Sequence, residues 1–396
     1  MNIVYFEPGH GGHREWYYQH VLNGLAYALP SHATIVFAAP ARLALACLDA
    51  RIHYYQLPTS LADYPPGPLR QAAYLRNFLA ALAVARAIQA TIFHHGDIDA
   101  AKGLTVCALA MFRPQLPVMG TLHWGQQYIS RLSLVNRLYQ AIDNLVFTAL
   151  MTRVQAIIVH GPGIKQIVDA RLNAHLRQRV VSLPYPAVGG SGAVLDQASA
   201  RSELGLPQNV PLFLAFGATR YDKGIDLALA ALDHADDATP WKLVVAGMPD
   251  HFGISYFSRW QQENPHVQDR LVLLPRYFQG RDTDLVFSAC DAVVLPYRKV
   301  FSGQSGILLQ AVQYEKPVIS ADVAQLGLDV TTYQLGLTFP AEDVRGLTEA
   351  IRAFLKHQRT HTERLHKSAQ DYVHQNSLET MVQKVLQAYQ TYSSIS

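Results

Sequence analysis

Short runs of β-branched and aromatic residues, each ending in turn residues and followed by a longer helical pattern, recur along this chain. That alternation leaves few folds open. In the first half the runs fall at 3–6, 34–38, 91–94, 118–122 and 156–159, with helical patterns at 15–29, 69–87 and 132–151 between them. The order then restarts with runs at 212–216, 242–246, 271–274, 292–295 and 317–320. A chain of 396 residues with 49% hydrophobic content can fill two cores. The expectation is an α/β protein of two Rossmann-like, doubly wound domains, with residues 1–185 in the first and 202–375 in the second. Residues 186–201 are a Pro-, Gly- and Ser-rich linker without sustained periodicity, read as a flexible hinge. The tail, 376–396, carries Leu378, Met381, Val382, Val385, Leu386 and Tyr389 at helical spacing and needs a surface to cover, on its own domain or on the other.

Charge excludes some functions. The 33 Lys and Arg are set against 30 Asp and Glu, a net charge of +3 without long basic runs, which does not mark a nucleic-acid binder. It is compatible with a polyanionic small molecule or with peripheral contact at an anionic membrane surface. The three cysteines, Cys47, Cys107 and Cys290, lie in apolar stretches without metal-like spacing and are read as reduced core residues. The N-terminal MNIVYFEPGHGG lacks the basic start and apolar core of a secretion signal, and no stretch is long enough to span a bilayer. A cytoplasmic location is expected.

The richest chemical signal is SGQSGILLQAVQYEKPVIS, residues 302–320. Ser302, Gly303, Gln304, Ser305 and Gly306 lead directly into a short helix beginning near Ile307, so unpaired backbone N–H groups converge where a phosphate can bind. Glycine admits a ligand close to the backbone, and serine can cap the helix or bond a phosphate oxygen. Gln310, one turn into the helix, offers both donor and acceptor to a ribose. A second constellation is FGATRYDKGIDLALAAL, residues 216–232: a buried strand, a turn carrying Arg220 and Lys223, and an amphipathic helix. These cations are either solvated turn charges or the groups that hold a phosphate at the mouth of the sheet.

These segments resemble the donor-binding signature of retaining glycosyltransferases of the two-Rossmann-domain (GT-B) type, family 4 and its relatives. Leu308, Leu309, Ala311, Lys316, Pro317, Val318 and Ile319 stand where that signature expects them. Its two glutamates are replaced, the first by Ser302 and the second by Gln310, and Glu315 stands for the usual glycine. The segment holding Arg220 and Lys223 resembles the family's Gly-Arg-(variable)-Lys-Gly segment, with Ala218 and Thr219 intervening. Gly11 and Gly12 match its N-terminal Gly-Gly loop, where His13 and Arg14 replace the common small and acidic residues. His123, directly after a predicted strand, stands where the family places a histidine against the donor sugar; a satisfied core histidine is the other reading.

The resemblance implies a hexosyltransferase-like enzyme with two domains facing a cleft. It would move a sugar from a nucleoside-diphosphate sugar, its co-substrate, to a saccharide or lipid-linked acceptor with retention of configuration, and needs no cofactor or metal. His123, Arg220 and Lys223 are the catalytic candidates. Gly11, Gly12, Ser302, Gly303, Gln304, Ser305, Gly306, Ile307 and Gln310 would bind the donor, and His13, His95 and Asp97 would line the acceptor pocket. Because both motif glutamates are absent, a catalytically inactive nucleotide-sugar-binding subunit is the alternative.

Overall fold

The apolar runs pair side by side as parallel strands, and the amphipathic segments between them cover both faces. The computed structural model describes residues 1–9, 14–43, 45, 48–65, 67–98, 102–112, 116–125, 134–186, 192–234 and 240–393. It divides into two compact units, Met1–Pro186 with Asn376–Ser396, and Ala187–Gln375.

In unit 1 the order is β1 (Asn2–Phe6), α1 (Arg14–Ala28), β2 (Thr34–Ala39), β3 (Ile52–Gln56), α2 (Pro68–Ala87), β4 (Ile92–His95), α3 (Lys102–Phe112), β5 (Val118–Leu122), α4 (Leu134–Met151), β6 (Ala156–His160), α5 (Pro162–Asp169), α6 (Ala174–Arg177) and β7 (Val180–Leu183). The strands form one parallel sheet ordered β3-β2-β1-β4-β5-β6-β7. In unit 2 the order is α7 (Gln197–Glu203), β8 (Leu212–Phe216), α8 (Ile225–Asp233), β9 (Lys242–Ala246), α9 (Ile254–Glu263), β10 (Leu271–Leu274), α10 (Arg281–Ala289), β11 (Ala292–Leu295), α11 (Gly306–Gln313), β12 (Val318–Asp322), α12 (Ala324–Thr332), β13 (Gly336–Pro340), α13 (Val344–Lys356) and α14 (Gln358–Gln375). Its sheet, also parallel, is ordered β10-β9-β8-β11-β12-β13.

Three strands go beyond the sequence reading, and two of them have identifiable causes. β3, IHYYQ, is an edge strand that buries Ile52 and leaves its middle residues to solvent. β13 carries Gly336 and Pro340, which argue against a strand interior. It also is an edge, and a Cβ at Gly336 would lie 1.9 Å from the Val318 carbonyl oxygen, so only glycine lets the two strands meet. The third, β7, is a four-residue strand at the opposite edge of the unit 1 sheet. The expected linker differs too: its last residues are already helical in α7, where the Asp196 carboxylate accepts from Ser199 N at 2.8 Å as an N-cap. Arg201 then anchors that helix to unit 2 through Asp291 and the Ala289 carbonyl.

The tail helix α15 (Leu378–Ser393) belongs to unit 1, burying Met381, Val382, Val385, Ala388 and Tyr389. It packs on α1, where Gly24 leaves room for Val382. Its polar anchor is Tyr389, whose hydroxyl lies 2.6 Å from Nδ1 of the buried His94; Nε2 of that ring is 2.8 Å from the Thr121 hydroxyl. Tyr5 stacks on the same imidazole at 4.3 Å. Burial drives His94 down to about 3, with His123 and His160 adding to the effect, and burial likewise takes His95 to about 3.

Both rings therefore stay neutral in the fold while the unfolded chain protonates near 6.5. Their contribution is complete above that value and is lost as pH falls toward 3, by roughly 2 kcal/mol per ring at pH 5. The midpoint of urea unfolding should accordingly fall between pH 7 and pH 5. A flat midpoint over that range contradicts the burial of these rings as neutral groups.

Candidate functional site

Open α/β sheets bind ligands beyond the carboxyl ends of their strands, where the strand order reverses. In unit 2 the reversal lies between β8 and β11. β8 ends there at Phe216, and the chain passes through 217–220 into a single 3-10 turn, Tyr221–Lys223. Gly217 (φ +96°) and Gly224 (φ +62°) adopt conformations that disfavour a side chain. A Cβ at Gly224 would sit 2.0 Å from the Pro296 carbonyl oxygen, and one at Gly217 would sit 2.6 Å from Lys223 Nζ.

The turn thereby folds Lys223 back beneath its own strand. The residue is nine-tenths buried and Nζ donates to the Phe216 carbonyl at 3.3 Å, one acceptor for three donors among the described residues. Burial lowers its pKa to about 8, Arg220 pushing the same way and Asp222 opposing.

The turn is fastened from outside. Arg298 donates to the Tyr221 carbonyl at 3.1 Å, covers the Tyr221 ring at 4.2 Å and pairs with Asp226, while its backbone N–H reaches the Asp222 carbonyl at 2.9 Å. Thr219 braces the other side, donating to the Phe252 carbonyl at 2.6 Å and accepting from Asp250 N at 2.9 Å. Sequence reasoning passed over Arg298 and Thr219, although PYRK directly after β11 was a usable signal. Arg220 is partly exposed and forked onto Asp222 at 2.8 and 2.5 Å, so part of its charge is already engaged.

The first turn of α11 approaches Lys223 through the Ile307 side chain. Ile307 Cδ1 and Lys223 Nζ both lie within 3.8 Å of the Cβ position that Gly217 lacks. Ser305 is the N-cap, accepting from Leu308 N at 3.3 Å, with the Tyr297 hydroxyl 3.3 Å from the same oxygen. The N–H groups of Gly306 and Ile307 stand ahead of that bond without intrahelical acceptors. Ser302 and Gly303 are buried in the preceding loop. Gln304 turns toward α12, donating to Asp329 at 3.2 Å in a group that includes Gln325 and Tyr372, which gives it a loop-anchoring contact. Gln310 is buried, and its side-chain amide has no hydrogen-bond partner among the described residues.

In unit 1 the reversal lies between β1 and β4. Glu7 follows β1 fully buried, accepting from Gly9 N at 2.6 Å and from the Tyr18 hydroxyl. A Cβ at Gly96 would lie 2.9 Å from the Glu7 carboxylate and 2.8 Å from the Tyr18 hydroxyl, while the Gly96 carbonyl is 3.2 Å from His123 Nε2. His123 is thus brought to the same strand edge as Glu7, beside Tyr17 and His160, whose rings lie 5.9 and 5.5 Å away.

Glu7 was missed, though an acid between an apolar strand and a Pro-Gly turn was visible. Asp97 is largely buried just past β4. His95 has no exposed surface: Nε2 is 2.6 Å from the Tyr74 hydroxyl, the ring packs on Phe6 and Phe78, and Nδ1 has no partner among the described residues. Gly11, Gly12 and His13 lie outside the described residues.

Residues 210–357, from β8 through α13, match the family model described as Glycosyl transferases group 1. None of the curated proteins matches the chain. Among solved structures, sucrose-phosphate synthase from Thermosynechococcus elongatus is similar at TM-score 0.76 and 17% identity, covering 100% of both chains. A glycosyltransferase from Rickettsia africae ESF-5 superposes at 0.73 and 13% identity, covering 100% of this chain and 99% of that one. Anabaena Alr3699/HepE in complex with UDP-glucose gives 0.69 and 15%, covering 99% and 100%. The fold is therefore the two-domain α/β architecture of GT-B glycosyltransferases.

Replacing Lys223 with alanine should weaken binding of a nucleoside diphosphate by roughly 10- to 100-fold, the loss expected for a buried charged hydrogen bond. Wild-type affinity should also decline as pH rises through about 8, where the ammonium loses its proton. That decline should be absent in the variant. Calorimetric titration measures both, and an unchanged affinity contradicts the site.

Proposed function

We propose that this chain is a glycosyltransferase that moves a hexosyl group from a nucleoside-diphosphate sugar to a saccharide or lipid-linked acceptor, with retention and without a metal. The observation that carries the reading is the buried, under-bonded Lys223 ammonium, which shares the space beside Gly217 with the side chain of Ile307 in the first turn of α11. A cation with spare donors, close to the first turn of a helix whose leading N–H groups lack intrahelical acceptors, suits a dianionic diphosphate. The match of 210–357 to the glycosyl transferases group 1 model covers this same ground. The UDP-glucose held by the Anabaena neighbour makes a uridine donor the first to try.

In the reaction, charge accumulates on the departing diphosphate as the bond to the anomeric carbon breaks. Lys223 and the Gly306 and Ile307 N–H groups meet that charge already oriented, so their stabilisation is greater in the transition state than in the ground state. Arg220 adds a longer-range positive potential from its pair with Asp222. Ser302, Gly303 and Ser305 shape the phosphate loop, Gln304 holds it to α12, and Gln310 takes the ribose. By resemblance to the family, His123 is assigned to the transferred sugar and Gly11 and Gly12 to the donor. His13 and Asp97 are assigned to the acceptor, whereas His95, fully buried against Tyr74, Phe6 and Phe78, serves the core.

Incubation with a panel of uridine, guanosine and adenosine diphosphate sugars, read by release of the nucleoside diphosphate, tests this function. Hydrolysis or transfer from one donor is expected. A thermal shift with a sugar nucleotide but no turnover of any, even with saccharide and lipid-linked acceptors supplied, would make the chain a binding subunit.

A further inference from the structure

Helices on the surface of an α/β unit normally turn charged residues outward, as α13 does with Arg345, Glu349 and Arg352. α4 reverses this. Its exposed described residues are Leu138, Ala141, Ile142 and Leu145, spaced i, i+3, i+4 and i+7 on one face. Leu138 is 64%, Ile142 51% and Leu145 71% exposed.

The neighbouring α3 packs against α4 and shows Gly103, Cys107, Met111 and Phe112 to solvent, Met111 at 61%. Among the described residues, neither helix exposes a charged side chain. Cys107, expected in the core from its apolar surroundings, is exposed because those surroundings form an outward face. A face of this kind is far more apolar than scattered surface leucines require, and in water it raises the free energy of the isolated unit.

The charge of the chain segment that carries this face selects what covers it. Between 102 and 153 the sequence carries Lys102, Arg113, Arg131, Arg137 and Arg153 and a single acid, Asp143. That acid is neutralised by Arg171 at 2.7 Å. A second copy of the chain would bring like charges together, whereas an anionic bilayer offers both hydrocarbon for the apolar row and negative charge for the basic residues. We propose that the α3–α4 face of unit 1 docks on an anionic phospholipid surface, with Leu138, Ile142 and Leu145 entering the interface. No helix among the described residues is long and apolar enough to cross a membrane, so the contact is peripheral.

Co-sedimentation of the full chain with phosphatidylcholine vesicles containing about one third phosphatidylglycerol tests the surface. Binding to these vesicles should exceed binding to pure phosphatidylcholine and should fall with salt. A triple variant, Leu138→Ser, Ile142→Ser and Leu145→Ser, should lose roughly tenfold or more of that partition while keeping its circular dichroism. Leu145→Asp alone should weaken it in the same direction, which keeps the test valid if the triple variant fails to fold. Absence of binding by the wild type, or equal binding by a folded variant, overturns the proposal. Self-association of the wild type that the variants abolish, without vesicle binding, would assign the face to a second copy.

Discussion

One buried ammonium organises the candidate donor site. A lysine taken out of water beside a single carbonyl is under-solvated, and its depressed pKa records that cost. The surrounding fold holds it there against the tendency to swing outward. Gly217 and Gly224 provide backbone angles that a side chain would block, Arg298 fastens the outside of the turn, and Thr219 ties its start to the following loop. The result is a fixed positive charge at the place where two sheet connections diverge and a helix begins.

The same logic runs through unit 1 with different chemistry. There the strand ends carry Glu7, His94, His95, His123 and His160, most of them fully buried, with Tyr18 of α1 reaching Glu7 and short side-chain contacts joining His94, His95 and His160 to tyrosine and threonine. Neutral imidazoles hydrogen-bonded to tyrosine and threonine satisfy buried polar groups without placing net charge in the core. This network also holds the tail: Tyr389 fixes α15 to the centre of the sheet through His94, so the last helix is a structural part of unit 1.

Much of this was legible in the sequence because burial on both faces leaves a parallel strand with little but apolar residues. The runs that became β1, β2, β4, β5, β6 and β8 to β12 announced themselves in that way. Edge strands did not, since β3 turns His53 and Tyr54 to solvent and β13 contains Pro340 and spends Gly336 on close approach to β12. In the site, Lys223 and the Ser305-capped helix stood out by residue type and spacing. Arg298 did not, because its partners Tyr221 and Asp226 lie far along the chain, and Glu7 did not, because only the folding of α1 over β1 brings the Tyr18 hydroxyl to its carboxylate; the Gln304 amide, which reads as a ligand contact, is on Asp329. The segment 131–153 left two readings open, a surface helix facing a lipid-linked acceptor or an amphipathic helix packed on its own sheet, because periodicity shows that a helix has an apolar side but not which way it points.

A structure of the protein with an intact nucleoside-diphosphate sugar bound measures the central claim most directly. The account expects the diphosphate oxygens within hydrogen-bonding distance of Lys223 Nζ and of the Gly306 and Ile307 N–H groups, with the ribose at Gln310. A diphosphate seated elsewhere, with Lys223 still bonded only to the Phe216 carbonyl, would contradict it.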